Sequence, residues 1–158
     1  MPLYVGDGGR IHAVFTKRRG DLKRHAGEIS FPGGRRDPGD ADLTETALRE
    51  AEEEIGLGRE HVEVLGALQP TPTFVTDYAI YPFVGVIEPG HAWELQPREV
   101  DFVLELALAD VRDGYARRRL VRLGVPFRTD TYCVDDNLIW GATARIVADL
   151  LDRVGPLL

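Results

Sequence analysis

The chain has 158 residues, a formal net charge of −7, 44% hydrophobic and 28% charged residues, and a single cysteine, Cys133. That length predicts one domain, residues 1–158, with a core of its own, and the composition excludes a disordered chain. The acidic balance disfavours a surface that grips nucleic-acid backbones, though it leaves room for a small anionic ligand at a local basic cluster.

No apolar run reaches the roughly 18–20 residues needed to span a bilayer, and the start lacks the charged and apolar regions of a signal peptide. With one cysteine no internal disulfide can form, which suits a reducing compartment, so the expected location is cytoplasmic without a membrane partner. Cys133 itself reads as a buried strand residue.

In chain order, Ile11, Ala13, Val14 and Phe15 predict a strand over 11–16. A short strand over 28–31 ends at Phe31-Pro32-Gly33-Gly34, a turn whose glycines let backbone approach a ligand closely. Asp37-Pro38-Gly39-Asp40 is turn chemistry, and Asp42 or Thr44 can cap a helix over 43–55. That helix has an apolar face of Leu43, Ala47, Leu48, Ala51 and Ile55, an i,i+4 pair Glu45–Arg49, and Gly56 as its stop. Strands follow near 62–68, 79–87, 100–107, 117–122 and 130–135, with a short helix at 108–113. A final helix over 139–154 buries Ile139, Ala142, Ile146, Leu150 and Val154. Periodicity alone supports an α/β or α+β domain.

The chemistry concentrates in Arg49-Glu50-Ala51-Glu52-Glu53-Glu54-Ile55-Gly56-Leu57. Helical spacing puts Glu50, Glu53 and Glu54 on one face, where like charges at i,i+4 repel. A solvated acidic face is one reading, and a calcium loop using Asp37, Asp40 and Asp42 is another. The latter lacks the ligand order and central glycine of an EF-hand. A hard divalent cation with oxygen ligands is the third, and beside a diphosphate it would neutralise charge and activate water. Two basic clusters, Lys17–Arg24 and Arg112–Arg128, offer contacts for phosphates.

The surrounding pattern resembles the Nudix box, G-x5-E-x7-R-E-U-x-E-E-x-G-U with U aliphatic. Gly34, Arg49, Glu50, Ala51, Glu53, Glu54, Gly56 and Leu57 match. Asp40 stands where the box has its first Glu, and the spacer from Asp40 to Arg49 is eight residues. Both departures resemble the coenzyme A diphosphatase subgroup, which also carries L-L-T-x-R-S-x3-R-x3-G-x3-F-P-G-G. Thr16, Arg18, Gly27, Phe31, Pro32, Gly33 and Gly34 fit that pattern, while Arg19 replaces Ser and Lys23 replaces Arg with Arg24 adjacent. Ile139-Trp140-Gly141-Ala142-Thr143-Ala144-Arg145-Ile146 also resembles the end of that subgroup, with core packing as its plain reading.

The resemblance implies the Nudix α/β/α sandwich, a mixed central sheet with helices on both sides. It implies that Glu50, Glu53 and Glu54 bind one to three Mg²⁺ or Mn²⁺ ions, with a backbone carbonyl from Gly33. Arg49 would orient the glutamates, Asp40 would be structural, and Gly34 would shape the loop. One of these glutamates, or an acid from a later loop, would deprotonate water; Glu99 is the first candidate and Asp77 a weaker one. Arg18, Lys23 and Arg24 are candidates for substrate phosphates, and Phe74, Tyr78 or Tyr81 for stacking adenine. The substrate implied is coenzyme A, cleaved to 4′-phosphopantetheine and adenosine 3′,5′-bisphosphate. ADP-ribose, a dinucleotide or a nucleotide sugar, or a non-catalytic nucleotide-binding module, are the alternatives. A homodimer is a common family state.

Overall fold

The strand expected at 11–16 runs as β2, Ile11–Arg18, and organises the sheet. Its side chains alternate between two cores, as a pleated strand requires. Ala13 and Phe15 join one cluster with Leu106, Leu108, Val111, Ile139, Ala144, Ile146, Val147 and Leu150. Val14 points the other way, to Ala51, Ile55, Leu57 and Ile87. The computed structural model describes residues 1–21, 27–73, 78–122 and 124–158.

β2 pairs antiparallel with β1 (Pro2–Val5), β3 (Ile29–Ser30) and β8 (Val100–Ala107). β1 pairs parallel with β7 (Phe83–Val86), and β7 antiparallel with β4 (Glu63–Ala67), so the six-stranded sheet is mixed. On one face lies α1 (Leu43–Ile55); on the other lie α2 (Leu108–Asp113) and α3 (Gly141–Val154). This is the α/β/α sandwich with helices on both sides. β5 (Thr71–Pro72) and β6 (Ala79–Ile80) form a small hairpin. A three-stranded meander of β9 (Tyr115–Arg122), β10 (Val125–Val134) and β11 (Asn137–Trp140) completes the structure. Among the described residues no helix is long and apolar enough to cross a membrane.

Several boundaries differ from the sequence reading. The run 79–87 breaks around Pro82, which has no N–H for a ladder, so β6 and β7 belong to different sheets. Ile139 and Trp140 are strand rather than helix. They pair with Tyr132 and Thr131 of β10, and the chain turns into α3 at Gly141 with φ +67°. Ile139 is still buried, since β11 and α3 share one core. Ala144 and Val147 are buried in α3, whereas Ala142 is half-covered. Cys133 lies in β10, half-buried rather than buried.

Helix α1 carries its own boundary signals. The Asp42 carboxylate accepts from the Glu45 N–H at 2.9 Å. At the other end Gly56, at φ +71°, donates to the Glu52 carbonyl (2.9 Å) and Leu57 donates to that of Ala51 (3.3 Å). The segment before β8 covers the remaining carbonyls: Glu94 N–H donates to Ile55 O at 3.1 Å and Gln96 N–H to Glu54 O at 2.9 Å. A Cβ on Gly56 would stand 2.7 Å from that of Glu94. Gly56→Ala is therefore expected to lower stability by about 1–2 kcal/mol from backbone handedness alone, with the clash adding to it. The urea midpoint reads this directly, and an unshifted midpoint would contradict the Gly56 reading.

Candidate functional site

One guanidinium gathers the acids of α1. Arg49 grips Asp40 as a fork, Nε to Oδ1 at 2.9 Å and Nη2 to Oδ2 at 3.1 Å. The same side chain reaches Glu53 Oε2 through Nη1 (3.1 Å), and Glu50 Oε1 and the Arg35 carbonyl through Nη2 (3.1 and 2.9 Å). Asp40 is only 6% exposed and also accepts from Thr46 Oγ1 (2.8 Å) and the Asp37 N–H (2.9 Å). Arg49 foremost, then these donors, hold its carboxyl well below the usual range. The guanidinium of Arg49 is raised in turn, chiefly by Asp40. The expected Glu45–Arg49 pair does not form: with Arg49 engaged here, Glu45 pairs with Arg59 at 2.9 Å.

The Phe31-Pro32-Gly33-Gly34 turn leans on the same helix. Gly33, at φ +153°, donates its N–H to Glu54 Oε2 at 3.1 Å. Gly34 lies so close to Glu50 that a Cβ there would collide with the carboxylate. Glu54 is 6% exposed, and burial pushes its carboxyl up to about 7, with the Glu50 charge adding and the Gly33 N–H and Arg18 opposing. Glu50 is raised by burial too, against the pull of Arg49. Glu53 is more open, with its side chain 58% exposed.

Glu99 arrives from the other side. It directly precedes β8, its carbonyl accepts from the Arg19 N–H at 3.0 Å, and its carboxylate lies 3.8 Å from Arg18 Nη2. Arg18 Nε is buried with no hydrogen-bond partner among the described residues. Arg19, in the place of a serine, bonds Asp21 (2.9 and 2.7 Å) and the Pro97 carbonyl (2.6 Å), bracing the approach to Glu99.

Arg49, Glu50, Glu53, Glu54, Gly33 and Gly34 thus meet, with Arg18 and Glu99 beside them. Lys23, Arg24, Phe74 and Asp77 lie outside the described residues. Tyr78 and Tyr81 are exposed, and the Arg35 guanidinium sits 4.8 Å over the Tyr78 ring. Sequence reasoning missed Thr46 and Asp37 as supports of Asp40, because neither spacing advertises a partner across a turn.

Among the described residues, no three His, Cys, Asp or Glu side chains converge tightly enough to hold a cation as they stand; Arg49 occupies Glu50 and Glu53 instead. The donor set nevertheless fits a hard divalent ion. It is all oxygen, and it includes a buried carboxylate, Glu54, whose charge a cation would relieve.

A model of the NUDIX domain matches residues 2–122. An uncharacterized Nudix hydrolase, NudL, from Photorhabdus laumondii is 37% identical over 143 residues, 89% of this chain and 76% of that one. NudL from Salmonella paratyphi B is 36% identical over 90% of this chain and 74% of its own. Among solved structures, the NUDIX domain of Shewanella oneidensis NrtR complexed with ADP ribose superposes with TM-score 0.60 at 15% identity, covering 97% of this chain and 83% of that one. A C. elegans Ap4A hydrolase superposes with TM-score 0.58 at 18% identity, over 71% and 80%. These two structures show the shared fold.

The depressed carboxyl of Asp40 makes a pH test. Its stabilising contribution is complete above the unfolded value, about 3.9, and is lost as pH falls through the lower folded value. Asp40→Asn should melt earlier than the parent at pH 7, and the gap should shrink as pH drops below about 4. A gap that stays constant down to pH 3 would show that the Asp40 charge does not matter.

Proposed function

The chain belongs to the Nudix hydrolase family, whose members act on phosphoanhydride bonds, and on that premise we propose that it hydrolyses coenzyme A to 4′-phosphopantetheine and adenosine 3′,5′-bisphosphate. The supporting observation is that the F-P-G-G turn and the box helix form one unit, with Gly33 on Glu54 and Gly34 against Glu50. Arg19 and Lys23, where the subgroup pattern has Ser and Arg, favour a second reading, hydrolysis of another nucleoside diphosphate such as ADP-ribose.

Glu50, Glu53 and Glu54, with the Gly33 carbonyl, would hold Mg²⁺ or Mn²⁺. Such an ion neutralises diphosphate charge and lowers the pKa of a bound water. Arg49 acts as a positioning residue: anchored on Asp40, it sets the height of Glu50 and Glu53 without facing substrate. Glu99, half-exposed beside Arg18, is the candidate to take the proton from water, and Glu54 is the alternative. Arg18, Lys23 and Arg24 would bind the phosphates, with Lys23 or Arg24 on the 3′-phosphate.

Mass spectrometry of products from coenzyme A, ADP-ribose, NADH, a diadenosine polyphosphate and a deoxynucleoside triphosphate, with Mg²⁺ and then Mn²⁺, decides the substrate. Preferential formation of 4′-phosphopantetheine is expected; preference for another compound would discard coenzyme A. Glu53→Gln and Glu54→Gln should each cut turnover at least about a hundredfold. Glu54→Gln should also raise the metal-free melting temperature at pH 8, because it removes a charge whose burial costs stability as pH rises through about 7. Unchanged turnover in both variants would sink the metal-site assignment. Lys23→Ala with Arg24→Ala should weaken coenzyme A more than dephospho-coenzyme A, and equal losses would remove these residues from the 3′-phosphate.

A further inference from the structure

The arginines of the β9–β10 ribbon are not spent on ion pairs in a uniform way. Strand register places Arg118, Leu120 and Arg122 on one face, across from Thr129, Phe127 and Val125. The other face, with Arg117, Arg119, Val121, Pro126 and Arg128, is exposed. Trp140, at the end of β11, lies against the first face. Its ring is 6.1 Å from that of Phe127, and the Arg122 guanidinium sits 5.4 Å over it.

Arg122 reaches past the ribbon to the start of β3. Its Nη2 lies 3.9 Å from Glu28 Oε1, a loose contact beside the 2.7–2.9 Å of a tight charge-assisted bond. Glu28 directly precedes β3, and its carbonyl accepts from the Arg18 N–H at 3.0 Å. β3 leads into the Phe31-Pro32-Gly33-Gly34 turn, and β11 packs against β3. Glu28 thus joins the two regions: its carbonyl holds the backbone of Arg18, whose side chain lies beside Glu99, and its carboxylate meets Arg122, which rests on Trp140. A guanidinium laid on an indole face and loosely tied to one part-exposed carboxylate keeps donors for a phosphate and loses little freedom in binding it.

We propose that Arg122, oriented by Trp140, is a specificity-determining residue that binds a phosphomonoester on the nucleotide half of the substrate. The inference rests on the coenzyme A reading, in which the 3′-phosphate is that group. Arg122 supplies a donor from the ribbon, separate from Lys23 and Arg24. Glu28 gives up its contact when the phosphate arrives.

Calorimetric titration with adenosine 3′,5′-bisphosphate and with AMP tests it, using the parent, Arg122→Ala, Arg122→Lys and Trp140→Phe. Arg122→Ala should weaken the bisphosphate by about tenfold or more and AMP by less than about twofold, with Arg122→Lys restoring part of the loss. Bisphosphate should also change tryptophan emission in the parent, and Trp140→Phe should abolish that change. Equal bisphosphate affinity in the parent and Arg122→Ala overturns the proposal, as does a parent that binds no bisphosphate. Arg122-dependent binding in a protein that does not hydrolyse coenzyme A would leave the subsite standing and overturn the reaction.

Discussion

The fork between Arg49 and Asp40 is the constraint on which the rest of the site depends. Glu50, Glu53 and Glu54 on little more than one turn of helix repel one another, at a cost of about 0.2–0.5 kcal/mol per pair. A single guanidinium offsets this at Glu50 and Glu53, because it has five donors and spends two on Asp40 before reaching those two. Asp40 can serve as anchor because it is buried and held by Thr46 and the Asp37 N–H, so it does not wander with the surface. An aspartate suits that buried turn: its shorter arm ends at Arg49 rather than in the open site.

Burial is uneven across the three glutamates, and the unevenness divides their chemistry. Glu53 is open to solvent. Glu54 is closed off by the Gly33 turn and by the segment whose Gln96 N–H donates to the Glu54 carbonyl. That segment does two things at once. It satisfies the last carbonyls of α1, and it delivers Glu99 to the edge of β2, 3.8 Å from Arg18. A fifth acid thus approaches from the turn before β8 while four come from the box and its turn, with Arg18 beside it. Stability is given up at Glu54, where burial pushes the carboxyl up to about 7.

Much of this was legible in the residues, and the boundary of legibility has physical causes. Helix α1 was readable to the residue because Asp42 and Gly56 are local signals, each acting within a turn. Glu99 was suggested by its place before an apolar strand. The break at Pro82 and the strand at Ile139–Trp140 were not readable from periodicity: a four-residue strand next to a helix offers the same apolar spacing as one more helical turn. Long-range choices of partner were hidden as well. Glu45 stands four residues before Arg49, yet Arg49 was already committed to Asp40, a competition that helical spacing does not describe. The Glu28–Arg122 contact joins residues 94 apart in sequence and follows only from the docking of the meander against β3.

The proposed function asks an acidic chain to receive an acidic substrate. With 26 acids against 19 Lys and Arg, the average field repels a diphosphate. Local arrangement matters more than that average, since a Debye length of about 8 Å at physiological salt confines each charge to its neighbourhood. Arg49 offsets part of the charge of Asp40, Glu50 and Glu53, and divalent ions, in the family's chemistry, offset more. On the proposed reading, Arg18 and Arg122 form the positive margin, held by weak contacts of 3.8 and 3.9 Å to Glu99 and Glu28. Contacts of that length orient a guanidinium without saturating it. In the proposed function a phosphate entering along this margin would meet both guanidiniums, and Glu99, half-exposed, would turn to water as the phosphate takes its place.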